Sequence, residues 1–213
     1  MFFLFFMIGF GDNQPYFDEG RLEFNYFSQE LLPFRECDPI DFLWVKPGFE
    51  LKGKSLQFQS LEVCDPFLGE DGDGRDMDDR GLAKGVARNF SLYFKSGFEK
   101  SYKGKIQFVE SGGDILVQGR IVDASTGNEA AKYFVGFGVG AGNVVLDLKF
   151  IDAKSGELLM AVHHRVVSGT NFSSSNSKLQ KWLKKWGKTS YIQGESSLYG
   201  TGQAPKQDHP KKD

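Results

Sequence analysis

Two cysteines and three histidines are all that this 213-residue chain carries of the side chains that most often hold transition metals. Cys37 and Cys64 form no C-x-x-C pair, His163 and His164 are adjacent, and His209 stands near the C-terminus. Neighbours on an extended strand point to opposite faces, so His163 and His164 cannot share one ion in the usual way. No cluster at ligand spacing is left for zinc or iron, and no cofactor is expected. Charge of one sign is lacking too: 26 Lys and Arg stand against 28 Asp and Glu, a net charge of −2. Such a chain has no global field for a polyanion, so a nucleic-acid partner is not expected. There is no G-x-S-x-G elbow, and the serines of "SGTNFSSSNS" suit a linker and helix cap better than a nucleophile. The absence of a catalytic constellation argues against an enzyme.

The apolar run "MFFLFFMIGFG", residues 1–11, is too short to cross a bilayer as a helix but fits the apolar part of a secretory signal. No Lys or Arg precedes it, and no small-x-small cleavage site follows in "GDNQPYF". It reads either as the remnant of a signal whose basic start lies upstream of Met1, or as a segment packed on the body, with an interfacial anchor as a third reading. Cys37 and Cys64 would be able to close a loop in an oxidising compartment and would be two ordinary thiols in a cytosol. "LLPFREC" lacks the small residue beside Cys37 that bacterial lipid attachment uses, so no lipid anchor is expected.

What the chain does have is glycine and phenylalanine, 26 and 21 residues, a bias toward strands, turns and aromatic packing. Residues 12–39 are aromatic and irregular. "IDFLWVKPG" from Ile40 and "KSLQFQSLEVCDPF" from Lys54 read as strands, each closed by proline-containing turn residues. A helix is predicted after Asp76, because Leu82, Val86, Phe90 and Phe94 repeat at helical spacing with Ala83, Ala87 and Tyr93 beside them; Gly97 is expected to end it. Four extended segments follow, at Lys105–Val109, Asp114–Asp123, Asn143–Asp152 and Glu157–Val167, the last two joined by the tight turn "AKSGE" as a hairpin. Leu179, Trp182, Leu183 and Trp186 define a second helix over about Ser177 to Trp186. The order predicts an α+β two-layer sandwich: a mostly antiparallel sheet with two helices on one face. The domain is expected over 40–190, with a disordered polar tail over 191–213.

Between the second and third of those segments lies "YFVGFGVGAGNVVL", with Gly136, Gly138, Gly140 and Gly142 at every second position. As a string it satisfies the G-x-G-x-x-G/A dinucleotide fingerprint. That site needs a helix after the glycines, whose N-terminal amides take the pyrophosphate. "NVVLDLKFID" instead alternates, with Val144, Leu146, Leu148 and Phe150 on one side and Asp147 and Lys149 on the other, which is a strand. No nucleotide is expected here. Glycines alternating along a strand bare one face, so that a helix or backbone can approach closely.

These residues carry a resemblance. "DILVQGRIVDASTGNEAAKYFVGFGVGAGNVVLDLKFIDAKSGELL" resembles the core of a bacterial domain-of-unknown-function family, many of whose members are small envelope lipoproteins. Gly136, Gly138 and Gly140 match its glycines, Asp152, Ser155 and Gly156 its closing turn, and Lys132 stands where an arginine is usual. "LWVKPGFELKGKSLQF" is similar to the corresponding strand of a related lipoprotein family. The resemblance implies export to the envelope and an α+β fold; it brings no catalytic residues.

Two features suit binding. "EDGDGRDMDD" offers Asp71, Asp73 and Asp76 as oxygen ligands for calcium, although an EF-hand pattern fails there on residue type; the same acids would also favour the following helix's N-terminus. The last helix presents Lys178, Lys181, Lys184 and Lys185 with Trp182 and Trp186, a pattern for an anionic membrane surface or an acidic envelope protein, and equally for a helix that simply covers the sheet. The sequence therefore predicts an exported, non-enzymatic envelope protein acting by protein or membrane-surface interaction, in the periplasm or cell envelope, with a small-ligand or calcium-binding domain, and a cytoplasmic location, as the alternatives.

Overall fold

The computed structural model describes residues 22–64, 77–103, 106–125, 142–167 and 175–204. The elements, in chain order, are α1 (Phe24–Phe27), β1 (Arg35–Cys37), β2 (Ile40–Val45), β3 (Ser55–Phe58), β4 (Glu62–Val63), α2 (Met77–Phe94), a π-helical turn (Lys95–Glu99), β5 (Gln107–Val109), β6 (Ile115–Ser125), β7 (Asn143–Asp152), β8 (Leu158–Val167), α3 (Ser175–Gln193) and α4 (Glu195–Gly200). All eight strands join one sheet in the order β1-β2-β8-β7-β6-β3-β5, with β4 pairing β6 beside β3. The fold is α+β.

The sheet is mixed, which corrects the mostly antiparallel expectation. β6, β7 and β8 form an antiparallel meander, extended by β2 and β1, and the β7–β8 hairpin turns at the predicted place. β3 is parallel to both β5 and β6, and β4 is parallel to β6. The reason is connectivity: β3 and β4 are followed by α2, and a helix packed back across a sheet returns the chain in the direction it left.

Alternation along the strands sets the two faces. Leu43, Val45, Val117, Ile121, Leu146, Leu148, Phe150 and Val162 point toward Ala83, Val86, Phe90 and Phe94 of α2 and Leu179, Leu183 and Trp186 of α3, forming the main core. Phe42 and Ala161 face the other way, into a smaller cluster with Leu22, Phe24, Phe27 and Phe34. The segment around α1 thus covers the second face, so the helices do not all lie on one side. The aromatic extension before Ile40 is not wholly irregular, since it holds both α1 and β1.

Two glycines that look like punctuation have another role. Gly97 does not end α2; the chain continues through the π turn, and a Cβ there would lie 2.9 Å from Leu183 Cβ. Gly187 does not end α3 either: a Cβ would lie 2.5 Å from the Phe98 carbonyl oxygen. Each glycine lets one helix backbone press against the other, and α3 runs on to Gln193. Residues 191–204, assigned by composition to a disordered tail, are folded. Gly194, at φ +79°, turns the chain into α4, and Gln203 pairs with Glu36 of β1.

Candidate functional site

The helical layer has a basic outer surface. α3 carries five lysines and no carboxylate in 19 residues. Trp182, Leu183 and Trp186 are buried, which leaves Lys181, Lys184, Lys185 and Lys188 exposed and Lys178 half-exposed. The tryptophans named with those lysines as a candidate surface are therefore core residues: Trp182 stacks on His164 at 4.2 Å and donates its indole N–H to the Pro39 carbonyl at 2.7 Å. Lys185 pairs with Asp38 at 2.7 Å. Alongside, α2 and the turn after it expose Arg80, Lys84, Arg88, Lys95, Lys100 and Lys103, while Glu99 is half-buried. Burying the apolar stripes of two amphipathic helices side by side turns both cationic faces to the same side.

The second face of the sheet holds a buried ionic row. Arg120 on β6, Asp147 on β7 and His163 on β8 are direct cross-strand partners. Asp147 is wholly buried; its Oδ2 accepts from Arg120 Nε at 2.7 Å and its Oδ1 lies 2.6 Å from His163 Nδ1. Arg120 also reaches Glu23 Oε2 at 2.9 Å. Its guanidinium lies 3.9 Å from the ring centre of Tyr26, and the Lys149 ammonium lies 4.2 Å from it. Lys149 also donates to the Tyr26 carbonyl at 3.3 Å. Cations against an aromatic face attract its quadrupole, so Tyr26 fastens the α1 segment over the charged row. Burial, with the Asp147 charge next, pushes the Tyr26 hydroxyl pKa up, and burial holds the Lys149 ammonium below its ordinary value. His163 is fully buried; its ring joins β8 to Asp147 of β7 and packs beside Phe42 of β2. His164 takes the other face, 2.8 Å from Asp41, as alternation requires.

A third cluster joins α4 to the loop after β2. Glu195, wholly buried, accepts from the Leu51 amide at 3.0 Å and from the Tyr102 hydroxyl at 3.5 Å. Glu50 caps α4, accepting from the Glu195 and Ser196 amides at 2.8 and 3.2 Å. Burial, then the hydrogen bond with Glu50, pushes the Glu195 carboxyl up to about 8. Despite some burial, hydrogen bonds from Glu195 and Ser196 hold Glu50 below the usual carboxylate range. The two shifts run in opposite directions, so the pair keeps its proton on Glu195, beside the Glu50 carboxylate.

Of the other sequence-derived candidates, Gly136, Gly138 and Gly140 lie outside the described residues, in the connection between the paired ends of β6 and β7; Gly142 is buried immediately before β7. A strand, not a helix, follows the glycines. Asp71, Asp73 and Asp76 also lie outside the described residues, and among those described no group of His, Cys, Asp and Glu is placed to hold a metal ion. Cys37 and Cys64 are free thiols. Cys37 ends edge strand β1, and Cys64 follows β4 beside β6, separated by β2, β8 and β7. At about 4.8 Å per strand that distance exceeds what a disulfide spans. Among the described residues no helix is long and apolar enough to cross a membrane.

Residues 99–169 match a family model described as "Domain of unknown function (DUF4410)", a span that includes the glycine stretch and the Asp152–Gly156 turn. No curated protein matches the chain. Among solved structures, a single-substitution variant of the PelC dodecamer of Paraburkholderia phytofirmans is similar at 12% identity and a TM-score of 0.41, covering 74% of this chain and 94% of that one. A second PelC dodecamer structure from the same organism shows 10% identity and a TM-score of 0.42, covering 67% and 91%. A Xanthomonas campestris protein of the DUF330 family model shows 11% identity and a TM-score of 0.38, covering 73% and 90%.

Proposed function

We propose that this protein is an exported, non-enzymatic component of the bacterial cell envelope that works by binding another envelope component through the cationic surface of α2 and α3. The observation that carries this reading is the segregation of charge: a chain of net charge −2 turns Arg80, Lys84 and Arg88 of α2 and Lys181, Lys184 and Lys188 of α3 to one side. Long cations held on rigid, core-packed helices present a fixed positive field to an anionic partner, which the whole-chain balance conceals. The apolar run at residues 1–11 and the resemblance to envelope lipoproteins support export. The buried carboxyl groups are engaged in structural tasks, Asp147 with Arg120 and His163, and Glu195 with Leu51 and Tyr102.

The test is intact mass and cell fractionation of the protein expressed from its own upstream DNA in its host. A chain recovered in the envelope supports the reading. A full-length chain recovered wholly in the cytosol refutes it.

A further inference from the structure

Resting on that reading, we infer that the partner of the basic surface is an anionic lipid bilayer. The cations share their surface with exposed apolar side chains. Leu92, 63% exposed, stands on α2 four residues from Arg88 and three from Lys95; Ile192, 67% exposed, and Tyr191, 40% exposed, stand on α3 one turn beyond Lys188. At 100° per residue Leu92 projects with Arg88 and Lys95, away from Phe90 and Phe94, and Ile192 projects with Lys181, Lys185 and Lys188, away from Trp182 and Trp186. Lys103 sits 5.3 Å from the Tyr191 ring centre, joining the end of α3 to the residues that follow the π turn.

Three of the five large hydrophobic residues exposed among the described residues therefore lie on the surface where the cations are densest. Such residues, spaced singly among lysines on two packed helices, match an interface in which aliphatic and aromatic tips enter the acyl boundary while ammonium groups meet lipid phosphates. An acidic protein would need a separate pocket for each of these tips; a bilayer takes them at any lateral spacing. The close packing at Gly97 and Gly187 holds both helices in one layer, so the two cationic faces meet a planar surface together.

The experiment is co-sedimentation of the full chain with vesicles of phosphatidylglycerol mixed with phosphatidylcholine, and with vesicles of phosphatidylcholine alone, at low and high salt. Two variants are compared with the native chain: K181E/K184E/K188E, and L92N/I192N, both at exposed positions where melting temperature should be unchanged. Because the apolar run at residues 1–11 contributes equally to all three chains, the comparison between chains decides. The expected result is preference for the anionic vesicles that falls with salt, at least a tenfold loss for the lysine variant, and a loss of about tenfold for the apolar variant that persists at high salt. Equal binding of all three chains, or no binding of the native chain, overturns the inference. If the protein fractionates with the envelope yet ignores these vesicles, the lipid inference fails while the envelope reading stands; a cytosolic protein removes the reading itself.

Discussion

Replacing Glu195 with glutamine should stabilise the protein above neutral pH. In the folded chain Glu195 keeps its proton to about 8, against an ordinary value of 4.5, because it is buried and donates to Glu50. Between those two values the unfolded chain releases a proton that the folded chain retains. The contribution of Glu195 to stability is therefore full below pH 4.5 and falls as pH rises toward 8, with a slope approaching about 1.36 kcal/mol per pH unit. Integrated over that window the ceiling is on the order of 5 kcal/mol. Glutamine presents the same shape, an oxygen for the Leu51 amide and an N–H for the Glu50 carboxylate, with no proton to lose. Urea unfolding from pH 4 to 9 is the assay. The native chain should lose several kcal/mol across this range, whereas E195Q should stay level and exceed it by a growing margin above about pH 5. A native profile that is flat over that window, or an E195Q chain less stable at every pH, refutes the assignment of the proton to Glu195.

Asp147→Ala should destabilise by about 3–5 kcal/mol in chemical denaturation, since it strips the half-buried Arg120 and the buried His163 of their shared partner. Gly187→Ala forces a methyl into the Phe98 carbonyl and should cost about 1–3 kcal/mol, where an alanine in an uncrowded helix would stabilise. Tyr26→Ala should leave the main core intact and increase amide exchange in residues 22–34, because the cation–π contacts from Arg120 and Lys149 would be lost. Cys37 and Cys64 should both alkylate in denaturant without reductant, giving a two-label mass shift; in the folded chain Cys37, buried and with its pKa pushed up to about 11, should react far more slowly.

How much is legible in the sequence follows from how local each signal is. β7 is legible to the residue, and with it the separation of Asp147 and Lys149 from Leu146 and Leu148, because period-two alternation is written in consecutive positions. That Arg120, Asp147 and His163 stand in one row is not, since register between strands depends on the β6–β7 and β7–β8 pairings, which no single strand encodes. The parallel pairing of β3 is hidden similarly: a strand followed by a helix has to be read as a crossover before its direction is known. Gly97 and Gly187 carry the residue type of a helix terminus, and only the packing of α2 on α3 reveals close approach as their role. Glu195 sits in a stretch whose polarity resembles a solvated tail, and its burial depends on Leu51 and Tyr102, more than ninety residues away in sequence. The basic surface needs both helices at once: α3 alone shows a lysine face, and net charge averages the rest away.

The most direct test of the central claim is salt extraction of envelope fractions from cells expressing either the native chain or K181E/K184E/K188E from the native upstream DNA. Native protein should sediment with the envelope and be released by raised salt, while the variant, folding with the same melting temperature, should be recovered in the soluble exported fraction. Retention of the variant equal to that of the native chain, or a native chain found only in the cytosol, would contradict that claim.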